Sequence, residues 1–156
     1  MATASKRAQI EKEVQAAFGL VPQWVGLIPD PAIEGFWRTM ADFQLAETKI
    51  PNKYKELIGL AVSGATRCKY CQLFHVEAAR LFGATEEEIA EAAMMGAHTM
   101  SASTFLNAEG IDYDAFKKET LQIVSNIKAQ AAQEKGQQGQ SPQQRAGMPA
   151  PSRPHA

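Results

Sequence analysis

The residues with the most evident chemistry are two cysteines three positions apart. Cys68 and Cys71 are the only cysteines in this 156-residue chain, too few for the disulfide framework of a small secreted domain. Three chemistries use a pair at this spacing: covalent haem attachment, zinc binding, and a dithiol that cycles with a disulfide. The neighbouring residues must distinguish between them.

The residues that follow the cysteines separate these chemistries. Haem attachment requires His directly after the second cysteine, and position 72 is Gln, so that interpretation fails. A structural zinc site needs four ligands, whereas the two cysteines and His75 supply three, and only His98 and His155 remain as further histidines. Zinc binding stays an alternative. A redox-active dithiol accounts for more of the residues, and we predict no bound metal or cofactor.

The position of His75 favours the redox interpretation. Cys71 is predicted to lie in the first turn of a helix, where unpaired backbone N–H groups favour a thiolate. His75 follows one turn later, so its imidazole lies over the same face and can pair with the sulfur. Cys68 is nearer the helix start, but a helix terminus contributes only about 0.3–1 kcal/mol, whereas a histidine can also move the proton. We therefore predict Cys71 as the nucleophile.

The elements that position these residues are predicted to be helices. Apolar residues recur with helical period nearly throughout residues 1–135, and no alternating run bounded by turn residues indicates a strand. The fold class is therefore all-α. The predicted helices cover about 5–18, Asp30 to before Pro51, about 52–66, the cysteine pair to Gly83, Thr85 to Gly110, and a last helix from Asp112 or Asp114.

Local signals refine these boundaries. Asp30 is predicted to cap the second helix, with Pro31 at its first position. Thr85 is predicted to cap the helix that follows it, because three glutamates occupy the first turn, where the helix dipole favours anions. An interruption of that helix is expected near residues 101–103. Cys68 is placed at the break between two helices, and Trp24 and Trp37 are interpreted as core or interface anchors.

Composition divides the chain into one domain and a tail. Residues 136–156 contain five Gln, four Pro and three Gly, with Met148 as the one large apolar side chain. Such a segment buries too little apolar area to offset its ordering entropy. We predict a single domain over residues 1–135 and a disordered tail over 136–156.

Charge and hydropathy exclude several function classes. Sixteen Lys and Arg against 17 Asp and Glu leave no basic excess for a phosphate backbone, so nucleic acid is not an expected partner. No segment reaches the roughly 18 to 20 consecutive apolar residues of a membrane-spanning helix. The N-terminus has no apolar stretch or cleavage site typical of a signal peptide, which predicts a cytoplasmic protein.

A longer pattern includes the cysteines. Glu56 precedes Cys68 by twelve residues, and Glu-x11-Cys-x2-Cys-x3-His resembles the signature of the AhpD-like alkylhydroperoxidases in the carboxymuconolactone decarboxylase superfamily. Pro29-Asp-Pro-Ala leading to Trp37, and the segment Gly83-Ala-Thr-Glu-Glu-Glu-Ile, are also similar, so the resemblance covers about residues 19–130. It implies an all-helical homo-oligomer, a trimer or hexamer, that reduces a hydroperoxide with electrons from a protein or small-thiol reductant.

The resemblance also implies roles for individual residues. Cys71 would attack the peroxide, Cys68 would condense with the resulting sulfenic acid, and Glu56 with His75 would form the proton relay that activates the thiol. Better-known members have His where this chain has Tyr70, which is interpreted as packing or as a hydroxyl donor near the site. His98 is interpreted as a core histidine, with lining of the site as the alternative.

Together these patterns predict a thiol-dependent peroxidase-like oxidoreductase. One alternative is a superfamily enzyme or disulfide reductase that acts on another substrate, and a second is a non-enzymatic thiol sensor or zinc-stabilised helical module. Independently of the resemblance, residues 89–100 are apolar or small around most of a helix. Because one core-facing stripe cannot use so broad an apolar surface, this helix is expected to face another subunit.

Overall fold

A computed structural model describes residues 5–138, with side chains described up to residue 133. That part of the chain is helical and contains no strand, which confirms the predicted all-α class. The elements in chain order are α1 Lys6–Phe18, α2 Gln23–Gly26, α3 Asp30–Arg38, a π-helix Thr39–Gln44, α4 Asn52–Ala65, α5 Lys69–Leu81, α6 Glu86–Ala108 and α7 Tyr113–Gln138.

The chain divides into two compact units. Of the described residues, the first unit contains 5–103, with both cysteines, Glu56 and His75, and the second contains 104–138, with the end of α6 and all of α7. Helix α7 continues to Gln138, three residues past the predicted domain limit at 135. The rest of the predicted tail lies outside the described residues, so its disorder stays a prediction.

The apolar core of the first unit is built by α1, α2 and α3. Trp37 is buried in it, as predicted, and its ring meets Phe18 edge to face at a centroid distance of 5.6 Å. Trp24 is instead partly exposed and packs against Phe36. The indole nitrogen of Trp37 donates to Glu13 at 3.0 Å, which satisfies its polar atom at the edge of the core. The buried members of this core are Ile10, Val14, Val25, Ile33 and Trp37.

Two predicted caps are confirmed and one is wrong. Thr85 Oγ1 accepts from the N–H of Glu88 at 3.2 Å, and the Glu88 carboxylate accepts from the N–H of Thr85 at 2.9 Å, which forms a capping box. Asp112 accepts from the N–H of Ala115 at 2.8 Å and caps α7. Helix α3, however, has Pro29 at its N-cap position, and Asp30 is its first residue, where its carboxylate pairs with the side chain of Arg7.

Two of the predicted helices differ from the observed ones, one in where it ends and one in its continuity. The segment after Asp30 is α3 followed directly by the π-helix, which ends at Gln44 and not near Pro51. The interruption expected near residues 101–103 is absent, since α6 is continuous across them. Ser and Thr can stay within a helix when the hydroxyl bonds a preceding carbonyl, as Thr99 does by donating to Met95 O at 2.9 Å.

Candidate active site

The cysteine pair lies at the turn that joins α4 to α5. Thr66 and Arg67 separate α4 from Cys68, and Arg67 has a left-handed backbone with φ of 57°, which sharply reverses the chain. The N–H of Cys68 donates to Ser63 O at 3.0 Å and closes the turn. Cys68 is therefore at the predicted break between helices, and it is the N-cap residue of α5.

The two cysteines form a disulfide, with their Cα atoms 5.4 Å apart. The N–H of Cys71, in the first turn of α5, points to Cys68 Sγ at 3.3 Å. Cys71 is exposed and Cys68 is half-buried. Cys68 Sγ therefore faces unpaired N–H groups at the start of α5, an environment that favours a thiolate.

Glu56 and His75 are brought together across the α4–α5 pair. Glu56 Oε2 lies 2.6 Å from His75 Nδ1, a hydrogen bond between a carboxyl group and an imidazole. Glu56 is 0% exposed, whereas the side chain of His75 is 20% exposed. A buried carboxylate is costly without a polar partner, and His75 supplies one. His75 also lies one turn along α5 from Cys71, on the same face.

The imidazole of His75 lies directly against the backbone of α4 at Gly59. A Cβ atom on Gly59 would be 2.3 Å from His75 Cε1, closer than any real contact, so any larger residue requires the ring to move. Sequence reasoning missed this residue. A signal was present, because Gly in a helix interior costs about 0.8–1 kcal/mol relative to Ala and calls for a reason.

A second set of polar residues links α4 to the π-helix beside Glu56 and was also missed. Gln44, the last residue of the π-helix, directs Nε2 to Glu56 Oε1 at 3.4 Å. The buried ammonium of Lys55 donates to Phe43 O at 2.7 Å, to Ala46 O at 2.6 Å and to Asn52 Oδ1 at 3.1 Å. The sequence carries no signal for them, because polar side chains on a helix are usually exposed.

Tyr70 and His98, the two further residues predicted near the site, are both exposed. Tyr70 is 77% exposed, and its ring lies under the Lys69 ammonium at 5.1 Å. It borders an apolar groove of about 870 Å³ on the neighbouring face of α5. His98 is exposed on α6, so the interpretation as a core histidine is wrong. The groove is lined by Phe18, Trp24, Phe36, Met40, Leu45, Tyr70, Leu73, Phe74, Glu77, Ala78, Leu81 and Phe82.

Comparison with known proteins identifies the family. The model of the carboxymuconolactone decarboxylase family matches residues 31–109, about half of the chain, and this range includes α3 to α6 and the whole Glu–His–dithiol constellation. The chain belongs to this family. Across 77 residues it is 30% identical to the uncharacterized protein 4 in the cox locus of Paracoccus denitrificans, covering 49% of this chain and 69% of that protein.

One solved structure of an AhpD core is similar to this chain over most of its length. The alkylhydroperoxidase AhpD core from Rhodospirillum rubrum superimposes with a TM-score of 0.61 at 28% identity, covering 70% of this chain and 85% of that one. The resemblance to AhpD-like members of the superfamily is thereby confirmed at the level of fold and family. Within residues 5–138, no helix has the length and apolar character needed to cross a bilayer, and no three His, Cys, Asp or Glu side chains cluster as metal ligands would.

Proposed function

We propose that this family member is a thiol-dependent peroxidase that reduces hydroperoxides through Cys68 and Cys71. The observation that carries the proposal is the pairing of a fully buried Glu56 with His75, one turn of α5 from Cys71. A bare reactive dithiol needs neither group, whereas a free cysteine, with a pKa near 8.5, gains from a neighbouring base at neutral pH. The AhpD core as structural relative supports the same reaction class.

The cycle has two oxidation steps and one reduction step. In the reduced protein His75, oriented by Glu56, accepts the proton of the Cys71 thiol, and the thiolate attacks the outer oxygen of ROOH. The O–O bond breaks, the alkoxide takes the proton back from His75 and leaves as ROH, and Cys71 becomes a sulfenic acid. The Cys68 thiol then attacks this sulfur and water leaves, which forms the Cys68–Cys71 disulfide present in the structure. Two equivalents of a thiol reductant, from a protein or a small molecule, restore both thiols.

The working form is proposed to be a homo-oligomer, a trimer or a hexamer. Helix α6 contains no buried residue, although Met94, Met95, Met100 and Phe105 are large apolar side chains on it. Exposed apolar surface on this scale is typical of a face that contacts another subunit. Light scattering at micromolar concentration should give a multiple of the chain mass, and a monomeric mass would contradict this part of the proposal.

A titration of thiols tests the reaction. The reduced protein is treated with one equivalent of tert-butyl hydroperoxide, and free thiols and bound zinc are assayed before and after. We expect two thiols lost per chain, one alcohol formed per disulfide, and no zinc. Thiols that survive peroxide but exchange with a protein disulfide would favour a disulfide reductase instead. Bound zinc that protects both thiols would favour the zinc-stabilised module, and oxidation without turnover in the presence of dithiothreitol would favour a sensor.

A further inference from the structure

We propose that Gln44 is a positioning residue that holds the Glu56 carboxylate in the orientation required by His75. The proposal rests on the relay of the proposed function and adds a third member to it. Neither the cysteine spacing nor the glutamate and histidine spacing points to Gln44, because it lies on a separate element, the π-helix. The contacts around Glu56 show how it acts.

The two oxygens of Glu56 have different partners. Oε2 lies 2.6 Å from His75 Nδ1, and Oε1 faces the side-chain amide of Gln44 at 3.4 Å. The terminal torsion of a glutamate is broad, so one partner alone leaves the plane of the carboxylate free to rotate. A second donor on the other oxygen restricts that rotation. Because a carboxylate only accepts hydrogen bonds when ionised, the NH2 side of the amide is the side that fits here.

Gln44 is held in place by α4 itself. The Lys55 ammonium donates to the backbone oxygens of Phe43 and Ala46, on either side of Gln44, and its third bond goes to Asn52. Asn52 in turn donates from Nδ2 to Leu45 O at 2.8 Å. A buried lysine is rare unless all its donors are used, and here three oxygens take them. Hydrogen bonds therefore join residues 43–46 to the first turn of α4, the helix that carries Glu56.

The π-helical geometry agrees with this role. Single π-turns occur frequently at functional sites, because the wider turn redirects the side chains at its end. Gln44 is the last residue of this one, and its side chain is half-buried against Glu56. Lys55, Asn52 and the π-helix thus hold the side-chain amide of Gln44 in place. The amide orients Glu56, and Glu56 orients His75 beside the reacting sulfur.

Alkylation of Cys71 by iodoacetamide measures the relay without any peroxide. The full-length Cys68→Ser protein is reduced and its alkylation rate is followed from pH 6 to 9.5. Removing the amide by Gln44→Leu should lower the rate at pH 7 about fivefold, the effect of one hydrogen bond. At pH 9.5 the rate should equal that of the parent, because solvent then ionises the thiol. Gln44→Glu should be slower still at pH 7, since a second carboxylate repels Glu56.

A matched control comes from Gln72, which follows Cys71 on α5. Its amide donates at a similar distance, 3.3 Å, but to the backbone oxygen of Ser63. Gln72→Leu should leave the ratio of rates at pH 7 and pH 9.5 unchanged. If Gln44→Leu lowers only the melting temperature, or behaves as Gln72→Leu does, the proposal is wrong. If Gln44→Leu changes the ratio but the protein that retains both cysteines turns over no peroxide, the positioning role stands and the proposed function fails.

Discussion

The first unit buries two different kinds of residue in two neighbouring regions. In α1 to α3 the buried side chains are all apolar: Ile10, Val14, Val25, Ile33 and Trp37. In α4 four of the five buried residues are polar or charged: Asn52, Lys55, Glu56 and Ser63, with Leu60 as the exception. Both regions are helical and adjacent in the chain, yet only one of them resembles an ordinary core.

The difference indicates which region serves stability and which serves chemistry. Burying an apolar side chain contributes about 1.5–3 kcal/mol, whereas burying a polar group without a partner costs free energy. The α4 residues avoid this cost only because each has a partner: Glu56 has His75, Lys55 has three oxygens, and Ser63 donates to Leu60 O at 2.8 Å. A polar network of this kind is a costly way to fill space, so local departures from core rules point to function.

The largest effect is expected at the sulfurs beside this polar region. Cys71→Ser should abolish peroxide turnover, because no thiolate remains at the position that His75 serves. Cys68→Ser should permit one attack per chain and leave a sulfenic acid on Cys71. Mass spectrometry after dimedone trapping distinguishes the two variants. If Cys68→Ser blocks the first oxidation and Cys71→Ser does not, the roles of the cysteines are reversed.

A change in the apolar region should have the opposite signature. Ile33→Ala removes a side chain that is 1% exposed and should lower the free energy of unfolding by about 2–5 kcal/mol. The reactivity of Cys71 in the folded fraction should stay the same. Leu27→Ala, at a residue that is 78% exposed, is the control and should cost less than about 0.5 kcal/mol. Chemical denaturation and iodoacetamide alkylation measure the two properties separately.

Altered thiol reactivity in a still-folded Ile33→Ala protein would show that the two regions are not independent. The proposed division between an apolar core that stabilises the fold and a polar α4 region that serves the reaction would then be wrong.

The sequence predicts the outline of this comparison but not its details. Helical period predicts the helices, and the spacing shared with the AhpD-like signature predicts that Glu56, Cys68, Cys71 and His75 belong to one site, because both signals are local or carried by an explicit pattern. Gln44 and Gly59 have no such pattern, since their roles depend on contacts between elements. His98 is the exception, because the apolar residues around it on α6 predict a core position, whereas its side chain is exposed.

A smaller effect is expected from Glu56→Gln, which keeps the size of the side chain and removes the base. The rate of Cys71 oxidation at pH 7 should fall at least about tenfold, the low end for a positioned proton-transfer group. It should recover as the pH approaches 8.5, where a free thiol ionises without help. Stopped-flow oxidation across pH measures this.

The exposed Glu91→Gln variant, which changes the net charge equally, is the control. An unchanged rate for Glu56→Gln at pH 7 would show that the buried carboxylate has no part in activating the thiol.

The smallest effect concerns Glu13, a carboxylate at the edge of the apolar core. The hydrogen bond from Arg38 lowers the pKa of the Glu13 carboxyl, and the Trp37 indole donates to the same group. A carboxyl whose folded pKa is depressed contributes stability above its unfolded pKa, near 4.3, and loses it as the pH falls through the folded pKa.

Glu13→Gln should therefore lower the melting temperature slightly at pH 7 and flatten its decline between pH 5 and pH 3. Tryptophan fluorescence, to which the buried Trp37 contributes, reports unfolding, and Glu34→Gln, which removes a charge that pairs with exposed Lys6, is the control. Cys71 alkylation should be unchanged in both variants, because this ion pair supports the core and not the polar layer of α4. Parallel pH curves for the parent and Glu13→Gln would show that the carboxylate contributes nothing to the stability of the core.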